Sequence, residues 1–286
     1  MGLALFPQFI TYYEELGGGP GDTLHVPMFT NLAHHRGTAA LVPGTSIYTG
    51  TQESSRMDIT VTEYGNGVVT EGIYVDLSAA SIPAQVEESL ARDFVYTMDW
   101  LVGSLFHTTR HCAICMNTGV TAFQDKPAGD VTTDPTGTLS GDVLGTIYDK
   151  FQGDHAEHVV PKIEIPGYGM YYGLIAGPAV TRGLKNDVGW QNLQLYNNNG
   201  DGIFNSRVGL FEDFVIFETN MGQDAGTSIA FGADAFAMAV SSPMELFYYP
   251  DFGQDANRAQ AWKWKTVLGM AKAYADSGTH AIRIFT

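Results

Sequence analysis

Residues 81–112 read SIPAQVEESLARDFVYTMDWLVGSLFHTTRHC, and the fold turns on this stretch. Val86, Leu90, Phe94, Met98, Leu101 and Leu105 recur every three or four residues, the spacing of one apolar stripe on an α-helix. Ser81 is placed to cap the start, and Pro83 stands where a first-turn proline is tolerated. Glu87 and Glu88 lie near the positive end of the helix dipole, Arg110 and His111 near the negative end. The spacing predicts a helix over residues 83–112, about 40–45 Å long at ~1.5 Å per residue. That length suits a structural spine better than a globular enzyme.

On its N-terminal side, residues 1–22 read as an arm that closes in the turn Gly17-Gly18-Gly19-Pro20-Gly21. Strand-like chain follows at Thr23–Phe29, where Pro27 restricts the strand to an edge or a bend. Residues 31–55 are polar and carry no helical period. Met57, Ile59 and Val61 then alternate with Asp58, Thr60 and Thr62, the pattern of a strand with one covered face. Two strands flanking so long a polar stretch predict an extended two-stranded arm across residues 23–62.

On its C-terminal side, residues 126–141 read as loop. A second helix is expected over residues 140–158, with Val143, Ile147 and Phe151 on its core face. Residues 168–175, 214–217 and 280–285 read as strands, and residues 196–205 as an Asn- and Gly-rich loop. Residues 229–240 predict a strand, a turn at Gly232 and Asp234, then a short helix or strand. Residues 262–270 fit either. The mixture is α+β, and 286 residues suit one large domain or two small lobes.

The net charge is −16, from 31 acidic against 15 basic residues. Nucleic-acid readers bind by neutralising phosphates with Lys and Arg, so the charge argues against a dedicated DNA or RNA reader. An acidic surface suits a container for DNA, and it suits plain solubility equally. No apolar run reaches the roughly 18 residues that a membrane helix needs. The first fifteen residues include Glu14 and Glu15 and no basic flank, unlike a signal peptide. Two cysteines make no disulfide framework, and a reducing cytoplasm is expected.

His107, His111, Cys112 and Cys115 have the ligand types of a zinc site. On one straight helix, however, His107 and Cys115 stand about 12 Å apart in rise. Residues 154–158 hold His155 and His158 only three apart, not the four of a metalloprotease helix, and read as a polar helix end. Asn197, Asn199, Asp201 and Gly202 begin like a calcium loop, but its twelfth position is Val208. Trp262 and Trp264 read as core. No Gly-x-Ser-x-Gly elbow or phosphate loop occurs. No catalytic residue and no cofactor is expected.

Several segments follow one another in a telling order: Gly21-Asp22-Thr23 leading to Pro27; Val61-Thr62-Glu63-Tyr64-Gly65-Asn66; Gly167-Tyr168 with Gly177-Pro178-Ala179-Val180 and Leu184; and Arg207-Val208-Gly209 with Phe214-Val215-Ile216-Phe217-Glu218-Thr219. Ala230-Phe231-Gly232-Ala233-Asp234-Ala235, Asp255 to Arg258, Trp264-Lys265 and Gly269 continue the series. In this order they resemble the tailed-phage major capsid proteins of the Hong Kong 97-type fold, in particular the branch typified by large-virion podoviruses. Ala176 stands where the family more often has His. The resemblance implies an N-terminal arm at 1–22 and an extended loop at 23–62. It implies a peripheral domain at 63–138 and 220–286 built on the spine helix, and an axial domain at 139–219. The implied function is a major capsid protein whose copies form hexamers and pentamers around double-stranded DNA, without reading its sequence. Portal, scaffolding and decoration proteins are the further implied partners, and the virion, assembled in the host cytoplasm, is the implied location. Gly44, Thr45, Tyr48, Gln52, Glu53 and Arg56 are the candidate contacts between subunits. A tail or spike binding module and a metal-dependent hydrolase are the alternatives; the first predicts trimers or fibres, the second stoichiometric metal.

Overall fold

The spine helix α1 spans Ile82–Phe106, 25 residues, or about 37 Å. The structure, a computed structural model, describes residues 5–13, 22–29, 54–72, 82–117, 121–125, 134–153, 159–165, 169–196, 207–219, 226–253, 258–274 and 280–286. Ser81 lies outside them. The helix stops six residues before the expected end at 112. Beyond Phe106 the bonds tighten to the three-residue kind, Thr108 N to Leu105 O and Thr109 N to Phe106 O. Both threonine hydroxyls donate to the same two carbonyls, at 2.7 and 2.8 Å. Arg110 and His111 therefore lie past the helix. The cations at its carbonyl end come from elsewhere: Arg283 donates to His107 O and Lys272 to Thr108 O, each favourable against the helix dipole.

The buried line of α1 is Leu90, Met98, Val102 and Phe106, with Phe94 half-buried. Leu101, expected on the stripe, is only half-buried. The line follows i, i+4 steps, which drift around the helix by about 40° each at 3.6 residues per turn. Phe6, from a 3-10 turn at Phe6–Phe9, covers the side where Phe106 points, with ring centroids 5.4 Å apart. Periodicity alone cannot see that neighbour.

Among the described residues the strands form three sheets, two of which pack on the spine. A four-stranded sheet has the order β1-β12-β13-β4: β1 Thr11–Tyr13, β4 Thr62–Glu71, β12 Phe236–Tyr249 and β13 Ala259–Lys272. β12 and β13, 14 residues each, form one long antiparallel hairpin. The stretch 262–270, ambiguous in sequence, is strand. The register shifts between Val240 and Glu245, around Pro243, which has no N–H to give the ladder. The face carrying Trp262, Trp264 and Leu268 packs on α1. The opposite face, with Ala237, Ala239 and Ala271, is covered by a two-stranded hairpin, β2 Thr23–Phe29 and β3 Ser54–Thr60. Gly269 permits this, since a Cβ there would meet Thr60 O at 2.4 Å.

The largest sheet, of eight strands, runs β6-β5-β14-β11-β8-β10-β9 with β7 beside β8. Its strands are β5 His111–Cys115, β6 Thr121–Asp125, β7 Ile163–Ile165, β8 Gly169–Ala176, β9 Arg207–Phe211, β10 Phe214–Glu218, β11 Thr227–Phe231 and β14 Ala281–Phe285. One face, through Ile175, Val215, Ile229 and Phe231, shares a core with α1 and the 3-10 turn. The other, through Tyr172, Leu174, Phe214, Ile216, Ile282 and Ile284, packs under α2 Gly141–Gln152, α3 Pro178–Lys185 and α4 Val188–Tyr196. Val143, Ile147 and Phe151 line the core face of α2 as expected. That helix ends at Gly153, whose φ of 82° suits glycine, before the predicted 158. The sheet takes strands from residues 111–125 and 227–285 as well as from 163–218, so its layers are not contiguous in sequence.

Candidate assembly surfaces

Three surfaces stand out on the described chain. The first is the β2–β3 hairpin. Its inward residues Leu24, Val26, Met28, Met57 and Ile59 pack on the sheet. Its outward face carries an exposed charge cluster. His25 Nδ1 lies 2.6 Å from Asp58 Oδ1, and Arg56 binds both oxygens of Asp58, at 2.8 and 3.0 Å. The hydrogen bond from His25, then that from Arg56, holds the Asp58 carboxyl below its ordinary range. Of the candidate contact residues only Arg56 is described. Gly44, Thr45, Tyr48, Gln52 and Glu53 lie outside the described residues, as does all of residues 30–53.

The second surface is the far end of β12, β13 and β4, where residues are exposed on both faces. Leu246 and Tyr248 stand on the helix side, Val69 and Tyr249 on the other, and all four are large and apolar. Phe252 joins them, with the Lys263 ammonium 4.6 Å from its ring centroid and 5.3 Å from that of Tyr249. Gly67, facing Lys263, lets the stem lie flat, since a Cβ would meet Lys263 Cγ at 2.6 Å. Aromatic surface of this kind marks contact with other molecules. The third surface is the outer ridge of α1, where Tyr96 and Trp100 are 50% and 60% exposed, one turn apart. Sequence reading passed over both surfaces. The period-four spacing Arg92-Tyr96-Trp100 on the polar side of the stripe was the available signal.

The candidate metal ligands, argued against on spacing, do not converge. Cys112 and Cys115 sit in β5, not on a helix, and three positions apart on a strand they point to opposite faces. Cys112 faces Arg283, with Sγ 3.8 Å from Nη2, while Cys115 lies in the core under α2. His111 stands beside Asp125, at 3.6 Å, and His107 against Phe6. Burial pushes the Cys115 thiol up to about 12. Among the described residues no three His, Cys, Asp or Glu side chains are grouped to hold a metal ion. The stretches 154–158 and 197–206 lie outside the described residues. Trp262 and Trp264 are core, as read: Trp264 stacks edge-on against Phe94 at 5.3 Å and donates to Asp93 Oδ2 at 2.8 Å. Among the described residues no helix is long and apolar enough to cross a membrane.

No protein-family model matches the chain, and no curated protein matches its sequence. Solved structures do match. The capsid asymmetric unit of cyanophage Pam1 aligns with 97% of this chain and 88% of its own, at TM-score 0.71 and 15% identity. The capsid of Ralstonia phage GP4 aligns with 97% of this chain and 87% of its own, at TM-score 0.69 and 13% identity. The acidic stable capsid of Helicobacter pylori bacteriophage KHP30 aligns with 96% and 86%, at TM-score 0.66 and 11% identity. Identities this low speak for fold, and the agreement spans nearly the whole chain. The chain therefore has the α+β, Hong Kong 97-type fold of phage capsid proteins.

Proposed function

We propose that this chain is a major capsid protein, the repeating subunit of an icosahedral phage head. The observation that carries the reading is the match of 96–97% of the chain to subunits of three phage capsids. A shared enzyme fold hosts many activities, and function has to be argued from a site. Here the supporting features are surfaces. The two-faced apolar end of β12 and β13 and the aromatic ridge of α1 are costly in water unless other molecules cover them.

In this reading copies of the chain assemble into hexamers and pentamers. The hairpin that begins at β2 and β3 continues through residues 30–53 toward a neighbouring subunit, so that Gly44, Thr45, Tyr48, Gln52, Glu53 and Arg56 meet it. Residues 139–219 form the axial domain around the capsomer centre. Residues 63–138 and 220–286 form the peripheral domain on the spine. Portal, scaffolding and decoration proteins are the further partners, the shell is assembled in the host cytoplasm, and double-stranded DNA is enclosed without sequence recognition. The chain catalyses nothing in this role and needs no metal.

Expression of the chain, followed by sedimentation and electron microscopy of the purified product, tests the proposal. Closed, rapidly sedimenting shells are the expected product. Trimers or fibres would replace the proposal with a tail or spike component.

A further inference from the structure

Two charged side chains are buried among the described residues, Asp99 and Arg283. Arg283 serves the carbonyl end of α1. Asp99, two turns before the end of α1, serves a different segment. Its Oδ1 accepts hydrogen bonds from the backbone N–H groups of Leu5 and Phe6, at 2.7 and 2.9 Å. Residues 5–13 thus lie across the spine like a strap. Phe6 and Ile10 are buried, and Phe9 packs against the rings of Phe217 and Phe231 at 5.1 and 5.3 Å. The strap then pairs parallel with β12 for three residues, Thr11 with Ala237 through Tyr13 with Ala239.

Among the described residues the carboxylate has no cation beside it. The 3-10 turn over it, Phe-Pro-Gln-Phe, carries no ionisable side chain. His107, Arg283 and Lys272 gather at the carbonyl end of α1, about two turns from Asp99. Asp234 meets the far end of the strap through Thr11, at 3.2 Å. Glu218 of β10 is held by Lys185 and Thr181. Every other inward position of α1 near Asp99 is apolar or glycine: Met98, Val102, Gly103 and Phe106. A charge placed under an apolar strap breaks the local rule, which is where a switch is to be sought.

We infer that residues 5–13 form a proton-linked strap: closing it takes the Asp99 carboxylate out of water, so closure takes up a proton and tightens as the pH falls. Two effects oppose each other. The two N–H donors favour the ionised carboxylate, and its removal from water favours the neutral acid. A protonated carboxyl with its hydrogen on Oδ2 still accepts through Oδ1. Acid therefore removes the desolvation cost and leaves both strap bonds in place. In keeping with this, burial pushes the Asp99 carboxyl above its ordinary range in spite of the two donors. An open strap would face Phe106, Phe217 and Phe231 to water, so its open fraction governs how much apolar surface a lone subunit offers to others. The strap belongs to the single subunit and stands or falls apart from the shell proposal.

The test is hydrogen exchange on the full chain across mildly acidic to mildly alkaline pH, corrected for the intrinsic exchange rate. The wild type is compared with Asp99→Asn, which keeps an acceptor and cannot ionise. The opening constant of residues 5–13 should fall with falling pH in the wild type, by up to about tenfold per pH unit across the titration. It should stay flat in the variant. Equal pH dependence in both proteins, or a wild-type strap that opens more readily in acid, overturns the inference. Should the variant fail to fold, carboxyl-carbon NMR of the wild type decides. A midpoint for Asp99 above that of an ordinary aspartate supports the strap, and one at or below it overturns it.

Discussion

Leu101 and Val102 are adjacent, yet Leu101 is half-buried while Val102 has no exposed surface. Val102→Asp would bury a carboxylate with no partner, costing at least about 4 kcal/mol out of the roughly 5–15 kcal/mol that hold a domain together. The subunit should be unfolded or insoluble. Leu101→Asp, free to turn toward water, should cost about 1 kcal/mol. Urea titrations of both variants measure the difference, and equal losses would contradict the shifted stripe. A second pair of neighbours, Cys112 and Cys115, is buried on opposite faces of β5. Burial raises both thiols, Cys115 from an ordinary 9.0 to about 12. A raised folded value means stability that is present below the unfolded value and lost as the pH climbs through the folded one. Stability should therefore decline between about pH 9 and pH 12 through Cys115, with Cys112 acting in the same direction. Near pH 8 a thiol reagent should label neither cysteine in the native subunit and both in denaturant. Rapid labelling of the native protein would contradict the burial.

At the scale of elements, the hairpin β2–β3 lies over the four-stranded sheet because Gly269 leaves room for its backbone. Gly269→Val would drive a side chain into Thr60 O, which as backbone cannot swing aside. A loss of about 2–3 kcal/mol is expected. Amides of β2 and β3 should exchange faster while β12 and β13 stay protected. Uniform deprotection of both would show the hairpin to be part of one inseparable core. The same packing explains what could be read in advance. β2, β3 and β14 were legible from turn signals or alternation, β8 and β10 as short apolar runs, and α2 from its apolar stripe. The far half of β13 alternates, Trp262-Lys263-Trp264-Lys265, but Leu268-Gly269-Met270-Ala271 is covered on both sides and loses its period. β5 was hidden for a like reason. His111-Cys112-Ala113-Ile114-Cys115 runs between β14 and β6, and its first two residues read as the end of the spine. Asp99 fell on what reads as a polar position. Only a segment more than ninety residues away in sequence buries it.

For the whole molecule, charge and shape make separable predictions. With 31 acidic against 15 basic residues, the surface that faces the shell interior should be net negative, since a basic wall would hold DNA tightly. Counting inner-face carboxylates against Lys and Arg in an assembled particle checks this, and a net positive inner face refutes it. Shortening the chain between Gly44 and Ser54 should leave the circular dichroism and melting of the subunit unchanged while assembly fails. Normal shells from that variant would remove the bridging role of the loop. Both predictions rest on the claim that copies of this chain close into a shell. A cryo-electron reconstruction of particles assembled from the purified chain tests that claim most directly. The account predicts an icosahedral shell of hexamers and pentamers whose repeating density fits this subunit, spine helix and long β12–β13 hairpin included. A reconstruction of trimers or open fibres, or a shell into which this fold does not fit, would contradict it.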